Sequence, residues 1–332
     1  MDSLTQIVLG AAVGEAALGK KVGNRAVLYG AIAGTIPDLD VLATHFTDTT
    51  RALAFHRGFT HSIVFAVVFG FLFGWLVSRY EKYKSTRGWC RLFFWAFVTH
   101  PILDSYTTWG TQLFWPLDIR LAFTSIFVID PLYTLPFLVF LILAMVRKRT
   151  DLKRRFYNNV GLGVSSLYLV LTLFLKGFAY VQFKMALDAQ SINYTDVDVR
   201  PSPMNTILWS ANVDTQDAYL LGNYSFFDLQ PISFENYPKN HHLLGDLLYN
   251  ERIQRMIRIS KGWFIITQED ETLYFNDLRF GLLTLEPGST DFVFKYKISK
   301  NESGEVVLTE VTKDQRDGKK LLIELWDRVK GN

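Results

Sequence analysis

Three short motifs carry the side chains best suited to metal or proton chemistry: Pro37-Asp38-Leu39-Asp40, His56-Arg57-Gly58-Phe59-Thr60-His61-Ser62 and His100-Pro101-Ile102-Leu103-Asp104. His100 and Asp104 stand four residues apart, so a helix that continues past Pro101 turns both to one face, a good spacing for two ligands of one cation. His56 and His61 are five apart and do not align on an α-helix. Gly58 permits a turn, so His56 can precede a helix that His61 opens. Arg57 adds a planar donor fork suited to phosphate or carboxylate, and Thr60 or Ser62 can cap the helix or assist a ligand. Pro37 biases Ile36 away from helix, and in an extended stretch Asp38 and Asp40 project to the same side, where two carboxylates can hold or bridge metal ions. Each motif also has a plainer reading: a packing hydrogen bond for His100, an interfacial cap with Arg57 snorkelling, and an N-cap plus a surface acid for Asp38 and Asp40. Asp2, Thr5, Gln6 and Asp130 are weaker candidates at similar depth.

The elements that must hold these residues follow from composition. The 332 residues are 49% hydrophobic and 20% charged, which excludes a disordered tail, a collagen repeat or a small disulfide scaffold; the lone Cys90 allows no intrachain disulfide. Residues 1–180 carry 18 Lys and Arg against 10 Asp and Glu, whereas residues 181–332 carry 17 against 22. Two regions with different solvents are indicated, a helical membrane domain over 1–180 and a soluble α+β domain over 181–332. Ser62–Ser78, Ser125–Val146 and Asn159–Tyr180 approach the roughly 20 apolar residues that a bilayer requires. Leu4–Leu18, Ala26–Ala43 and Leu92–Thr108 are shorter or interrupted, so the expected class is a polytopic α-helical membrane protein of about six segments, the first two short or re-entrant. Gly10, Gly14, Gly30 and Gly34 suggest a tight helical hairpin at the start.

Basic clusters at Lys20–Arg25, Arg79–Arg91 and Arg147–Arg155 place those loops on the cytoplasmic side of an inner membrane, and the tail on the other. The four histidines of the first half, His45, His56, His61 and His100, then gather toward the outer face with most of the carboxylates. In the tail, alternating runs at Asn205–Val213, Ala218–Phe226, Met256–Gln268, Thr272–Phe280, Phe292–Ser299 and Glu305–Val311 read as strands. His241–Ile253 and Asp314–Val329 read as helices.

Taken together in this order, the three motifs resemble the signature of the YdjM-like, membrane-bound, metal-dependent hydrolases, over roughly residues 1–150. A tail with Pro201-Ser202-Pro203 and Leu208-Trp209 resembles the extension of longer members. The resemblance implies a membrane-embedded metal site with His56, His61, His100, Asp104, Asp38 and Asp40 in the matching positions. Members often carry a histidine after a threonine near the N-terminus, where this chain has Thr5-Gln6. The His-x-x-x-Asp unit is also similar to one in zinc-dependent phospholipase C and related nucleases.

The expected function is hydrolysis of an ester or phosphoester in a lipid-like or amphipathic substrate by metal-activated water, with zinc as the metal and manganese as the alternative. Asp38 or Asp40 would take the proton and Arg57 would stabilise the developing anion. Membrane lipids are the expected partners, and nucleic acid is not. The rival reading is a non-catalytic membrane protein in which a structural metal or ion pairs staple the helices and the outer domain binds a partner.

Overall fold

The computed structural model describes every residue except Leu285, Pro287 and 312–317, and for 43–45 the backbone only. The chain opens with α1 (Ser3–Gly14), a π-helical turn (Glu15–Gly19) and the short α2 (Lys20–Val22), followed by α3 (Asn24–Thr35) and a 3-10 segment (Pro37–His45). Next come α4 (Thr49–Phe55), a 3-10 turn (Phe59–His61), α5 (Ile63–Tyr80), α6 (Thr86–Asp104), α7 (Pro131–Met145) and α8 (Leu152–Ala189). Strands β1 (Asp196–Pro201), β2 (Leu208–Asp214), β3 (Ala218–Ser225) and β4 (Phe234–Pro238) lead to a 3-10 segment (His241–Tyr249) and α9 (Glu251–Ile259). Strands β5 (Phe264–Glu269), β6 (Thr272–Leu282), β7 (Phe292–Lys300) and β8 (Val306–Glu310) and helix α10 (Gly318–Val329) complete the order. Two compact units result: Met1–Ala43 with Phe55–Phe174 and Pro203–Asn205, and Thr44–Ala54 with Leu175–Ser202 and Thr206–Asn332.

The expected six membrane segments do not form. Among the described residues only α5 and α8 are long and apolar enough to cross a bilayer. Helix breakers account for the difference. Gly23, at φ 63°, separates α2 from α3, and α3 stops before Pro37 after 12 residues. At about 1.5 Å per residue such a helix reaches roughly 18 Å, short of a hydrocarbon core of about 30 Å. The apolar run Ser125–Val146 becomes helical only at Pro131, because Asp130 caps α7 by accepting from Leu132 N (2.9 Å) and Tyr133 N (3.2 Å). The chain is therefore a helical N-terminal part followed by two antiparallel sheets, not a six-span bundle.

In the first unit α1 and α3 pack backbone to backbone through glycines. A Cβ on Gly10 would lie 2.3 Å from Gly30 O, and one on Gly34 would lie 2.4 Å from Gln6 O. Trp89, Phe93 and Phe97 of α6 fill the core beside them, each at most 2% exposed. This close approach is what lets the end of α3 reach the C-terminal part of α6.

The second unit holds two four-stranded meanders, ordered β1-β2-β3-β4 and β5-β6-β7-β8. Ala179, Phe183 and Leu187 of α8 pack on Val199, Trp209 and Val213 of the first sheet. Ile253 and Met256 of α9 cover Ile266, Phe275 and Tyr296 of the second. The run Met256–Gln268, read as one strand, is divided: its start completes α9, whose apolar residues Ile253 and Met256 are three apart and face one side, and the strand begins at Phe264. Strands β1 and β4 fall outside the runs that read as strands, although Asp196-Val197-Asp198-Val199 in β1 does alternate, and the helix expected from Asp314 begins, among the described residues, at Gly318.

Candidate metal centre

The local structures around the motifs turn their side chains to one point. Helix α6 continues through Pro101, so His100 and Asp104 share a face, with His100 Nε2 3.5 Å from Asp104 Oδ2. Arg57 takes a left-handed φ of 59°, which breaks the chain between α4 and the next 3-10 turn, and Ser62 caps α5 by accepting from Phe65 N (3.0 Å). His61 is thereby presented immediately before α5. Asp38 and Asp40 lie in a 3-10 segment, not in the extended stretch expected for them. They consequently diverge, Asp38 toward His61 Nε2 (3.2 Å) and Asp40 toward His61 Nδ1 (3.4 Å).

Asp38, His61, His100 and Asp104 each offer one ligand atom, and no two of these atoms are more than 4.8 Å apart. His61 Nε2 is 3.1 Å from His100 Nε2, 3.2 Å from Asp38 Oδ1 and 3.4 Å from Asp104 Oδ2. His100 Nε2 is 3.4 Å from Asp38 Oδ1. A tetrahedral zinc with bonds of about 2.0–2.1 Å requires ligand separations of about 3.3–3.4 Å, and five of the six separations, at 3.1–3.5 Å, are close to that. The outward ring nitrogens are engaged as metal-binding imidazoles require. His100 Nδ1–H donates to Gly34 O (2.7 Å). His61 Nδ1–H donates to Thr60 Oγ1 (3.0 Å), whose hydroxyl donates to Asp40 Oδ2 (3.0 Å). With those protons on Nδ1, both Nε2 atoms would face a bound cation with a lone pair.

Charge gives a second test of fit. Asp104 is fully buried; its Oδ1 meets the Met1 amino group and accepts from Gln6 Nε2 (2.9 Å), but its Oδ2 accepts no hydrogen bond. The charge of that oxygen is balanced by Arg57, with Nε 3.2 Å away, but a buried carboxylate oxygen that accepts no hydrogen bond is costly, and a cation in the cage would satisfy it. Burial works against the charged form of Asp38, but the imidazoles of His100 and His61 outweigh it and hold that carboxyl well below the usual carboxylate range. Burial likewise opposes a charge on His61, yet Asp104, Asp38 and Asp40 together push it up to about 9. Without an ion, the anionic surroundings are answered by a proton on His61. The residues present therefore fit a divalent cation.

His56 and Asp40 stand beside the cage, outside the four-residue cluster. His56 Nδ1–H donates to Asp40 Oδ1 (2.9 Å), and Asp40 Oδ2 also accepts from Arg57 N (2.8 Å). Arg57 is itself buried, with Nε 3.2 Å from Asp104 Oδ2 and Nη1 donating to Thr107 Oγ1 (2.9 Å). Among the weaker candidates only Gln6 reaches the centre. Asp2 caps α1, Asp130 caps α7, and Thr5 Oγ1 lies 2.6 Å from Thr134 Oγ1. The side chain of His45 falls outside the described residues. Thr60 assists the His61 imidazole as its position beside that histidine suggests, whereas sequence reasoning missed Gly34 O as the group that orients His100, because backbone acceptors leave no mark in residue type.

Comparison with known proteins agrees with the membrane assignment. A family model described as YdjM inner membrane protein matches residues 1–182, more than half of the chain and all of the first unit's helices. The chain is also similar to the inner membrane protein YbcI of Escherichia coli (strain K12), 35% identical over 99 residues, or 30% of this chain. It spans 57% of the length of that relative. No solved structure matches.

Proposed function

Because the chain belongs to the YdjM inner membrane protein family, we propose that it is a membrane-embedded, metal-dependent hydrolase acting on an ester or phosphoester of a lipid-like or amphipathic substrate. The observation that carries this reading is the cage of His61 Nε2, His100 Nε2, Asp38 and Asp104 around an acceptor-only oxygen, Asp104 Oδ2. These four residues would hold a divalent ion, zinc or manganese; hydrolysis needs a further open position on that ion for water, to which the metal would supply Lewis-acid polarisation and a lowered pKa. Asp40 anchors Nδ1–H of His56 and leaves Nε2 free to accept a proton, so His56 is the general base and Asp40 its positioning residue. Arg57 balances the charge of Asp104 from within the protein.

The side chains of His56 and Asp38 are each 24% exposed, in contrast to His61 and Asp104 at 0%. Substrate would therefore arrive from their side. Exposed Leu39, Val41, Phe55, Phe59 and Ile63 in the same segments favour an amphipathic molecule over a small hydrophilic one. The excess of Lys and Arg near 20–25, 79–91 and 147–155 supports cytoplasmic basic loops, with the chain beyond α8 on the other side.

The test is metal content and turnover of detergent-purified wild type, Asp104→Asn and His56→Gln on a panel of ester and phosphoester amphiphiles. Wild type and His56→Gln should carry near-stoichiometric metal and Asp104→Asn should lose it. Turnover should fall by about 10²-fold or more in His56→Gln, as expected for removal of a general base. Wild type that cannot be loaded with metal would end this reading. Loaded wild type without turnover on any substrate would instead favour a metal that staples the helices.

A further inference from the structure

A second site lies in the first unit, toward the opposite end of α6 from Asp104. A cavity of about 640 Å³ opens between the π-helical turn after α1, the middle of α6 and the start of α8. Its walls carry six cations, Lys20, Lys21, Arg91, Arg149, Arg154 and Arg155, against two acids, Glu15 and Asp151. Both acids are already engaged. Glu15 takes two charge-assisted bonds from Arg154, at 2.7 Å from Nε and 2.5 Å from Nη2, and Asp151 Oδ1 accepts from Lys153 N (2.8 Å) at the start of α8. Lys20, Lys21 and Arg155 have no ion-pair partner among the described residues.

The cavity is not merely basic. Leu18, Trp95 and Leu162 form an apolar wall. Asn158, 2% exposed, also lines it; Nδ2 donates to Ala12 O (3.0 Å) while Oδ1 has no hydrogen-bond partner. A buried acceptor of this kind calls for a donor from outside the chain. The π-helical turn contributes by folding Glu15 back over Gly19, where a Cβ would stand 2.1 Å from the Glu15 carboxyl carbon. Such turns interrupt regular helices where a site is being shaped. Cations beside an apolar wall, at the ends of helices in a membrane family, suit an anionic headgroup attached to an acyl chain.

We propose that this cavity binds the phosphate headgroup of an anionic glycerophospholipid. Lys20, Lys21 and Arg155 receive the phosphate, the Leu18–Trp95–Leu162 wall receives the chain, and Asn158 Oδ1 accepts from a headgroup hydroxyl. The inference stands apart from the metal centre and from hydrolysis.

The experiment measures binding of phosphatidylglycerol, phosphatidylcholine and inorganic phosphate to the full chain by native mass spectrometry. Variants are Lys20→Gln/Lys21→Gln/Arg155→Gln, which removes charge, and Ala16→Trp, which fills the cavity from an exposed lining position without changing charge. Lys82→Gln/Lys84→Gln/Arg87→Gln, which also removes three positive charges, serves as a charge-matched control outside the cavity. One phosphatidylglycerol should be retained by wild type and by the control, and retention should drop tenfold or more in both cavity variants. Equal retention of phosphatidylcholine, or cavity variants that bind like wild type, would overturn the proposal. Inorganic phosphate that displaces the lipid at equal concentration would make free phosphate the ligand and overturn the lipid assignment.

Discussion

Replacing Gly34 by alanine should damage both the fold and the metal centre, by a route that can be followed in ångströms. The new methyl would sit 2.4 Å from Gln6 O, where ordinary contact starts at 3.4 Å, so α1 and α3 must separate by about 1 Å. The obstacle is backbone, and no rotamer change relieves it. Overpacking of this kind costs about 1–3 kcal/mol. Gly34 O is also the acceptor that orients His100, at 2.7 Å from Nδ1, and a shift of that size breaks the bond. Loss of an orienting partner typically weakens metal binding by about 10–100-fold. Gly30→Ala meets Gly10 O at 2.2 Å and should destabilise as much, with a smaller effect on metal. Gly163→Ala in α8 meets nothing within 4 Å and should be neutral or stabilising by about 0.5–1 kcal/mol. The assay is tryptophan-fluorescence melting in detergent, with metal retained against a chelator measured on the same samples. A Gly34→Ala protein that melts with wild type and keeps its metal would refute the packing argument.

Other outcomes follow from single contacts. Glu15→Ala strands Arg154, whose side chain is only 4% exposed, and should cost about 3–5 kcal/mol, read as a lower midpoint in the same melts. In the second unit His241 stacks on Phe264 at 4.0 Å, and its Nε2–H donates to Phe264 O (2.8 Å). Burial, with Lys239 adding to it, lowers its pKa below the ordinary value of 6.5. The unfolded chain therefore protonates first as pH falls through 6.5, so the stability linked to neutral His241 is complete above that pH and is lost below it. Denaturant midpoints at pH 7.5 and 5.5 should differ more for wild type than for His241→Gln; equal differences would remove this histidine from the account. Arg255 Nη1 donates to Thr50 Oγ1 (3.0 Å) and ties α4 to α9. Arg255→Ala should raise the rate of protease cleavage within 44–54 by about 10- to 100-fold, as expected for loss of a hydrogen bond from a charged group worth about 1.5–3 kcal/mol.

How far residue order reveals such a protein depends on whether the information is local. His100 and Asp104 are close in the chain and fixed by one helix, so their shared face follows from spacing alone. Apolar run length is a weaker guide, because a hydropathy reading sums over Pro37, before which α3 stops, and over Asp130-Pro131, before which α7 has not begun. Gln6 illustrates the opposite difficulty: its bond to Asp104 spans 98 residues, so spacing leaves it only a weaker candidate, and its position is marked by the resemblance to members with a histidine there and not by its own chemistry. Asp38 and Asp40 are the most instructive pair. An extended strand would turn them to the same side, but a 3-10 segment rotates each residue about 120° from the last, so the two carboxylates point apart. That divergence lets them reach opposite nitrogens of His61. Asp38 joins His61 Nε2 in the cage, while Asp40, through Thr60, holds the Nδ1 proton and also anchors His56. Two acids that would repel each other on one side of a strand become, on a tighter helix, a ligand and the support for an imidazole pair. A local change of helix type thus decides which roles the same four letters can take.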